Sequence, residues 1–240
     1  MKKSNNDINL VIFGSGNRSL SVISKLKELD FNIVMVVTQK NKDLTLEESF
    51  PDLKLIFEEN VNNIKFIQHL KGLSIDYFIL SGFRQILKEE VLAIPSKATI
   101  NLHAGKLPEY RGGSPLNWQI INGENYAYIY TILTDKGIDT GNILVENQIK
   151  ILDIFHCPHG PKSNCICRKP KAGMLIDAQN KYSIDMKKSW MIGDSERDIE
   201  AAVNAKLTNT ILFNELQSPI ESQASYIVNS LEKIKNIITN

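Results

Sequence analysis

Short apolar runs alternate with amphipathic stretches through the first part of the chain. Residues 9–13 are apolar and run into Gly14-Ser-Gly-Asn17, after which Leu20, Ile23, Leu26 and Leu29 recur at helical spacing. Residues 31–38 are rich in β-branched side chains and predict a buried strand. A strand–turn–helix–strand unit of this kind calls for a parallel sheet. Further strands are predicted at 53–57, 77–81, 98–103, 126–134 and 143–151. Between them, residues 40–48 read as a polar surface loop. Asn60 reads as the cap of a helix carrying Val61, Ile64 and Ile67, and residues 115–121 fit a short helix.

The pattern changes after residue 151. A loop rich in Cys, Pro and Lys is followed by a helix near 173–181, a strand at 190–192, a helix at 195–204, a strand at 210–213 and a C-terminal amphipathic helix. No internal repeat and no low-complexity tract interrupts the chain. The fold class is therefore α/β, with one boundary: residues 1–151 carry a Rossmann-like, mostly parallel sheet, and residues 152–240 a smaller α/β segment.

Composition narrows the picture. With 240 residues and 42% hydrophobic content, the chain can bury one large or two small cores. A formal net charge of +1 argues against a protein whose main task is to coat nucleic acid. The start lacks the apolar stretch of a signal peptide, and no segment approaches the ~20 apolar residues of a membrane span. The expectation is a cytoplasmic protein with a small-molecule substrate and neither a membrane nor a nucleic-acid partner.

Candidate chemistry gathers in four places. Asn101 and His103 end a predicted strand, where parallel sheets bind ligands, and strand alternation puts them on one face. A His can exchange protons near neutral pH, an Asn amide can donate to a developing oxyanion, and Asp139, in the turn Lys136-Gly-Ile-Asp-Thr-Gly141, can orient the His. The residues alone leave open a strand-end His in an ordinary hydrogen-bond network. Gly14, Ser15, Gly16 and Asn17 suit either a phosphate held at a helix N-terminus or a tight turn with a Ser or Asn cap. Arg111 either contacts substrate or pairs with a surface carboxylate. Cys157, His159, Cys165 and Cys167 are a poor disulfide framework and a good tetrahedral ligand set for Zn²⁺; free thiols are the alternative.

Residues 8–150 resemble the formyltransferase family, which includes methionyl-tRNA, glycinamide-ribonucleotide and sugar N-formyltransferases. The resemblance rests on Asn101-Leu-His-Ala-Gly-Lys-Leu-Pro-Glu-Tyr-Arg-Gly-Gly-Ser-Pro-Leu-Asn-Trp118, on Asp135-Lys-Gly-Ile-Asp-Thr-Gly-Asn-Ile-Leu144 and on Ser81-Gly-Phe-Arg-Gln-Ile-Leu87. It implies Asn101, His103 and Asp139 as the catalytic trio and N10-formyltetrahydrofolate as the donor. It further implies a folate pocket lined by Ser81, Gly82, Phe83, Arg84, Gln85, Ile86 and Leu87 with Gly137 and Ile138, and an amine as acceptor. The run from Tyr110 to Trp118 looks most like the sugar enzymes, which implies a nucleotide-linked amino sugar. The tRNA enzymes normally carry a further domain, and nothing like it is seen in this sequence. A homodimer is the expected assembly if the chain associates.

Residues 154–213 resemble haloacid-dehalogenase phosphatases of the histidinol-phosphate and heptose-bisphosphate type. The matching stretches are Cys157-Pro-His-Gly-Pro161, Cys165-Ile-Cys-Arg-Lys-Pro-Lys-Ala-Gly-Met174 and Gly193-Asp-Ser-Glu-Arg-Asp198. That resemblance implies Lys169 as a phosphoryl ligand and Asp194, with Asp198, as Mg²⁺ ligands. Ser195-Glu-Arg-Asp198 is also a capping-box pattern. The nucleophile of those enzymes is the first Asp of an Asp-x-Asp, and no Asp-x-Asp occurs in this sequence. Lys169 and Asp194 are then vestigial. The alternative readings are a phosphatase subunit completed by another chain and a non-catalytic remnant.

Overall fold

The computed structural model describes residues 4–39, 43–214 and 221–239. It divides into two compact units, Met1–Leu152 and Asp153–Asn240.

In the first unit, β1 (Asn9–Gly14), α1 (Gly16–Glu28), β2 (Asn32–Thr38), α2 (Leu44–Ser49), β3 (Leu55–Phe57), α3 (Ile64–Lys71), β4 (Tyr77–Ser81), α4 (Glu89–Leu92), β5 (Ala98–His103), α5 (Pro115–Ile121), β6 (Tyr126–Leu133) and β7 (Ile143–Lys150) follow one another. The sheet order is β3-β2-β1-β4-β5-β6-β7. The first five strands are parallel, and β6 and β7 are added antiparallel. The chain moves outward from β1 to β3 and then returns to the other side of β1 with β4. That reversal opens a crevice at the carboxyl ends of β1 and β4, next to the end of β5.

β1 is buried on both faces, so its alternation serves two cores. Val11 and Phe13 join Met35, Val37, Phe66, Leu70, Phe78 and Leu80 on one side. Ile12 packs with Ile23, Val36, Leu46 and Ile79 on the other. The Phe13 ring meets Phe78 edge-on at 5.0 Å and Phe83 at 5.3 Å. Because Phe13 is fully buried, Phe13→Ala is expected to destabilise this unit by about 3–5 kcal/mol, read as a lower urea midpoint.

Two predicted features are corrected. Residues 40–48 are not all loop. Positions 40–42 lie outside the described residues, but Leu44–Ser49 is a helix, started by the Asp43 carboxylate accepting the Leu46 N–H and anchored by fully buried Leu46. The cap of α3 is Asn63, which accepts the Phe66 N–H at 2.8 Å, rather than Asn60, whose side chain accepts the Asn62 N–H.

The second unit contains α6 (Gly173–Tyr182), β8 (Trp190–Gly193), α7 (Glu196–Asn204), β9 (Asn209–Phe213), β10 (Tyr226–Val228) and α8 (Leu231–Thr239). Its parallel sheet runs β10-β9-β8. Met186, Ala202, Ala205 and Leu207 form one core, and Ile211, Val228 and Ile234 another. The helix predicted from Ser195 begins with the expected box: Asp198 Oδ2 accepts from the Ser195 N–H at 3.2 Å and from its hydroxyl at 3.0 Å. Among the described residues no helix is long and apolar enough to cross a membrane.

Candidate active site

β5 delivers Asn101 and His103 to its carboxyl end on one face of the sheet. The turn between β6 and β7 returns Asp139 to meet them. Asn101 Nδ2 donates to Asp139 Oδ1 at 2.9 Å, and His103 Nδ1 lies 3.3 Å from Asp139 Oδ2. The same carboxylate accepts the Gly112 N–H at 2.9 Å. Asp139 has φ +50°, a left-handed conformation that Asp tolerates better than most residues. Its carbonyl accepts from Arg111 Nε at 3.2 Å. The turn is shaped by Asp135, whose Oδ1 accepts from Thr140 Oγ1 at 2.5 Å and from the Gly137 N–H at 2.9 Å. Those bonds hold the Asp135 carboxyl below the usual carboxylate range. Gly141 admits no side chain, because a Cβ there would sit 1.8 Å from the Leu133 carbonyl oxygen.

His103 is 5% exposed. Its Nε2 lies 2.6 Å from the Tyr110 carbonyl. Both ring nitrogens therefore face oxygen atoms. Tyr130, opposite His103 in the β5–β6 register, is pushed up to about 12 by burial and by its bond to Glu146, so it adds no charge near neutral pH. Arg111 and Asp139 border a cavity of about 270 Å³ completed by Leu107, Pro108, Thr140, Gly141, Asn142 and Ile143. A larger hollow of about 380 Å³ beside α3 and α4 contains none of the candidate residues.

The other predicted positions divide. The Gly14–Asn17 turn opens α1 at the end of β1, but the Gly16 N–H already donates to Asp43 Oδ2 at 2.8 Å, and Ser15 Oγ accepts the Gln39 N–H at 3.0 Å. One N–H at the start of α1 is thus engaged by a carboxylate of the chain itself. Ser81, the last residue of β4, is 3% exposed; in the segment after it Leu87 is 4% exposed and Phe83 packs on Phe13. Gln85 ties loops together, accepting the Val61 N–H and donating to the Glu58 carbonyl. Ile86 and Ile138 are 60% and 54% exposed. Gly82 and Arg84 lie in the same segment, and the Arg84 N–H donates to Gln39 Oε1 at 2.8 Å.

Two contributors were not anticipated. The Tyr110 carbonyl covers His103 Nε2. Gln119, a polar residue in the apolar run of α5, is fully buried. No sequence signal singled out the latter, since α5 also carries polar Asn117.

In the second unit, the side-chain ligand atoms of Cys157, His159, Cys165 and Cys167 lie within 4.8 Å of one another. Cys157 Sγ is 3.7 Å from Cys165 Sγ and 3.3 Å from Cys167 Sγ, and His159 Nδ1 is 3.2 Å from Cys167 Sγ. Metal–sulfur bonds of roughly 2.3 Å give tetrahedral edges of roughly 3.7 Å, so the four atoms are spaced to share one ion. Burial pushes the Cys165 thiol up, but hydrogen bonds from the Arg168 N–H and the neighbouring thiols bring it to about 6. Lys169 is paired with buried Asp198. Burial alone would raise the Asp198 carboxyl, and the bonds from Lys169 and Ser195 outweigh it, leaving it below its ordinary value. Asp194 is exposed in the turn after β8.

Residues 8–155 match the formyl transferase family, and residues 166–233 match the HAD-hydrolase-like family. The methionyl-tRNA formyltransferase of Caldanaerobacter subterraneus subsp. tengcongensis is 35% identical over 227 residues, covering 88% of this chain and 70% of that protein. That of Clostridium novyi is 37% identical over 157 residues, covering 60% of this chain and 50% of its own length. Glycinamide ribonucleotide transformylase 1 from Symbiobacterium toebii superposes with a TM-score of 0.56 at 14% identity, over 64% of this chain and 78% of its own, and shares the fold. The chain belongs to the formyl transferase family.

Proposed function

We propose that the first unit transfers a formyl group from N10-formyltetrahydrofolate to the primary amine of a nucleotide-linked amino sugar. The observation that carries this reading is the hydrogen-bonded set of Asn101, His103 and Asp139 at the carboxyl end of β5. The amine lone pair adds to the formyl carbon, and the carbonyl becomes a tetrahedral oxyanion. Asn101 Nδ2 holds one proton on Asp139 and has a second to offer the oxyanion; His103 Nε2, once released by the Tyr110 carbonyl, offers another. Collapse breaks the bond between the formyl carbon and N10, the amine gives up a proton and N10 takes one. His103 moves that proton while Asp139 holds its ring. The products are tetrahydrofolate and the N-formyl acceptor.

Two observations support a small acceptor. The net charge of +1 offers little attraction for a polyanion the size of tRNA. Arg111, fixed through Nε at the edge of the 270 Å³ cavity, presents the rest of its guanidinium to an anionic group such as a nucleotide diphosphate. Arg111→Ala is expected to raise the acceptor KM by roughly 10-fold, the loss of one charge-assisted contact, with the donor KM unchanged. The names of the relatives favour methionyl-tRNA as a second reading. Offering both acceptors in competition and weighing the products by mass spectrometry separates the two: formylated amino sugar supports the first, and formyl on methionyl-tRNA alone replaces it.

The C-terminal unit is proposed to hold one Zn²⁺ through Cys157, His159, Cys165 and Cys167. Four protein ligands leave no open position, so the ion's contribution there is structural. With Lys169 engaged by Asp198 and no Asp-x-Asp in the chain, Lys169 and Asp194 are proposed to retain the shape of a phosphate and Mg²⁺ site without its reaction.

A further inference from the structure

α5 is seven residues long, and one of them, Gln119, places its whole side chain in the interior with 0% exposure. A buried primary amide is costly unless its two N–H groups and its oxygen are bonded. Here they are. Oε1 accepts the Lys106 N–H at 3.1 Å and the Tyr128 N–H at 3.2 Å. Nε2 donates to the Ala104 carbonyl at 3.2 Å and to the Pro115 carbonyl at 3.4 Å. All four partners are backbone groups, two N–H and two C=O, so the orientation of the amide is fixed by its surroundings. They belong to three separate pieces of chain: the segment leaving β5, the first turn of α5, and β6.

The segment leaving β5 is the wall of the catalytic histidine. Ala104 follows His103 directly. An added Cβ at Gly105 would lie 2.9 Å from His103 Nε2, 2.8 Å from the Tyr110 carbonyl oxygen and 2.4 Å from Pro115 Cβ. The backbone at 104–106 therefore presses on the imidazole on one side while Asp139 holds it on the other. Gln119 grips that backbone at both ends, Ala104 and Lys106, and ties it to a strand of the sheet. No other described side chain is shown bonding to either group.

We infer that Gln119 is a positioning residue for formyl transfer: its amide clamps residues 104–106 onto the sheet and so fixes the His103 ring against Asp139. The inference rests on the proposed role of His103. Its consequence is a specific split of kinetic effects. Without the clamp, the ring keeps its chemistry but loses its aim, and displacements of about 1 Å at a reacting group lower turnover roughly 10²-fold. Gln119 itself bonds only to backbone groups of residues 104, 106, 115 and 128, so donor binding is expected to be retained.

The test compares the full-length chain with Gln119→Met and Gln119→Glu. Methionine keeps the volume and removes all four bonds; glutamate keeps the two acceptor bonds to Lys106 and Tyr128 and loses the donors. Leu70→Ala, in the core cluster around Phe13 and Phe78, serves as a control for lost stability. Expected for Gln119→Met is a cooperative melt, a kcat lower by roughly 10²-fold and a donor KM within about threefold of the parent; Gln119→Glu falls between the two, and Leu70→Ala keeps its kcat per folded molecule. Independently of activity, ¹⁵N-labelled histidine reports the ring itself. The chain has four histidines, and the His103 resonances are those lost in His103→Ala. They are expected to shift in Gln119→Met and not in Leu70→Ala. Unshifted His103 resonances in Gln119→Met, or an unchanged kcat in that variant, would overturn the inference. A parent chain that forms no formylated product, with His103 resonances that do shift, would instead remove the proposed reaction and leave the clamp standing.

Discussion

His103→Ala is expected to lower formyl transfer at saturating donor by roughly 10²–10⁴-fold, the usual contribution of a positioned proton-transfer group. The ring is the one titratable side chain that both faces Asp139 and ends the strand at the crevice. Removing it also deletes a candidate donor to the oxyanion, so the loss belongs in kcat rather than in the donor KM. Asn101→Ala is expected to cost less, roughly 10²–10³-fold, because only one oxyanion donor is lost while His103 remains held by Asp139. Initial rates of both variants, normalised to the folded fraction from a thermal melt, check the order. Full turnover in His103→Ala would show that the histidine is a structural member of its hydrogen-bond network and that another group moves the proton.

The second large effect is expected in the C-terminal unit. That unit is small, with a three-stranded sheet and two modest clusters of buried residues. A four-ligand zinc site contributes on the order of 10 kcal/mol to folding in comparably small domains. Purified chain is therefore expected to carry about one equivalent of zinc, and a strong chelator or Cys165→Ser is expected to melt this unit at ambient temperature. Zinc binds thiolates and neutral imidazole, so its affinity is expected to fall as the pH is lowered and the ligands take up protons. Metal content by atomic emission and far-ultraviolet circular dichroism before and after chelation read both quantities. Less than about half an equivalent of zinc, with no spectral change on chelation, would rule against the closed four-ligand site.

How much of this was legible in the sequence depended on how local each cause is. β1, β2 and β4 announce themselves as apolar runs, and Asn101 and His103 follow from period-two alternation in β5. Asp139 is different. Its bond to Asn101 spans 38 positions, so nothing in the spacing demanded it; only the glycine-rich turn and the family resemblance did. α2 was hidden because one cap, Asp43, and one anchor, Leu46, start a helix too short to display a period. The choice between Asn60 and Asn63 turned on geometry that two identical residue types cannot reveal: Asn60 is occupied by its own turn. β10 is three residues long and is defined by its pairing with β9. Gln119 was invisible for the strongest reason, since all four of its partners are backbone groups and three of them come from segments outside α5. The Cys and His cluster was readable because its ligands lie close in sequence.

The claim that the Asn101–Asp139 segment transfers a formyl group is tested most directly by following the group itself. The chain would be mixed with N10-formyltetrahydrofolate carrying a ¹³C-formyl carbon and with a nucleotide-linked amino sugar, and the label followed by NMR. The account predicts that the donor signal decays as an N-formyl amide signal grows on the acceptor, and that both changes stop in His103→Ala. A folded, zinc-loaded chain that leaves the label on the donor with every amine offered, including methionyl-tRNA, would contradict it.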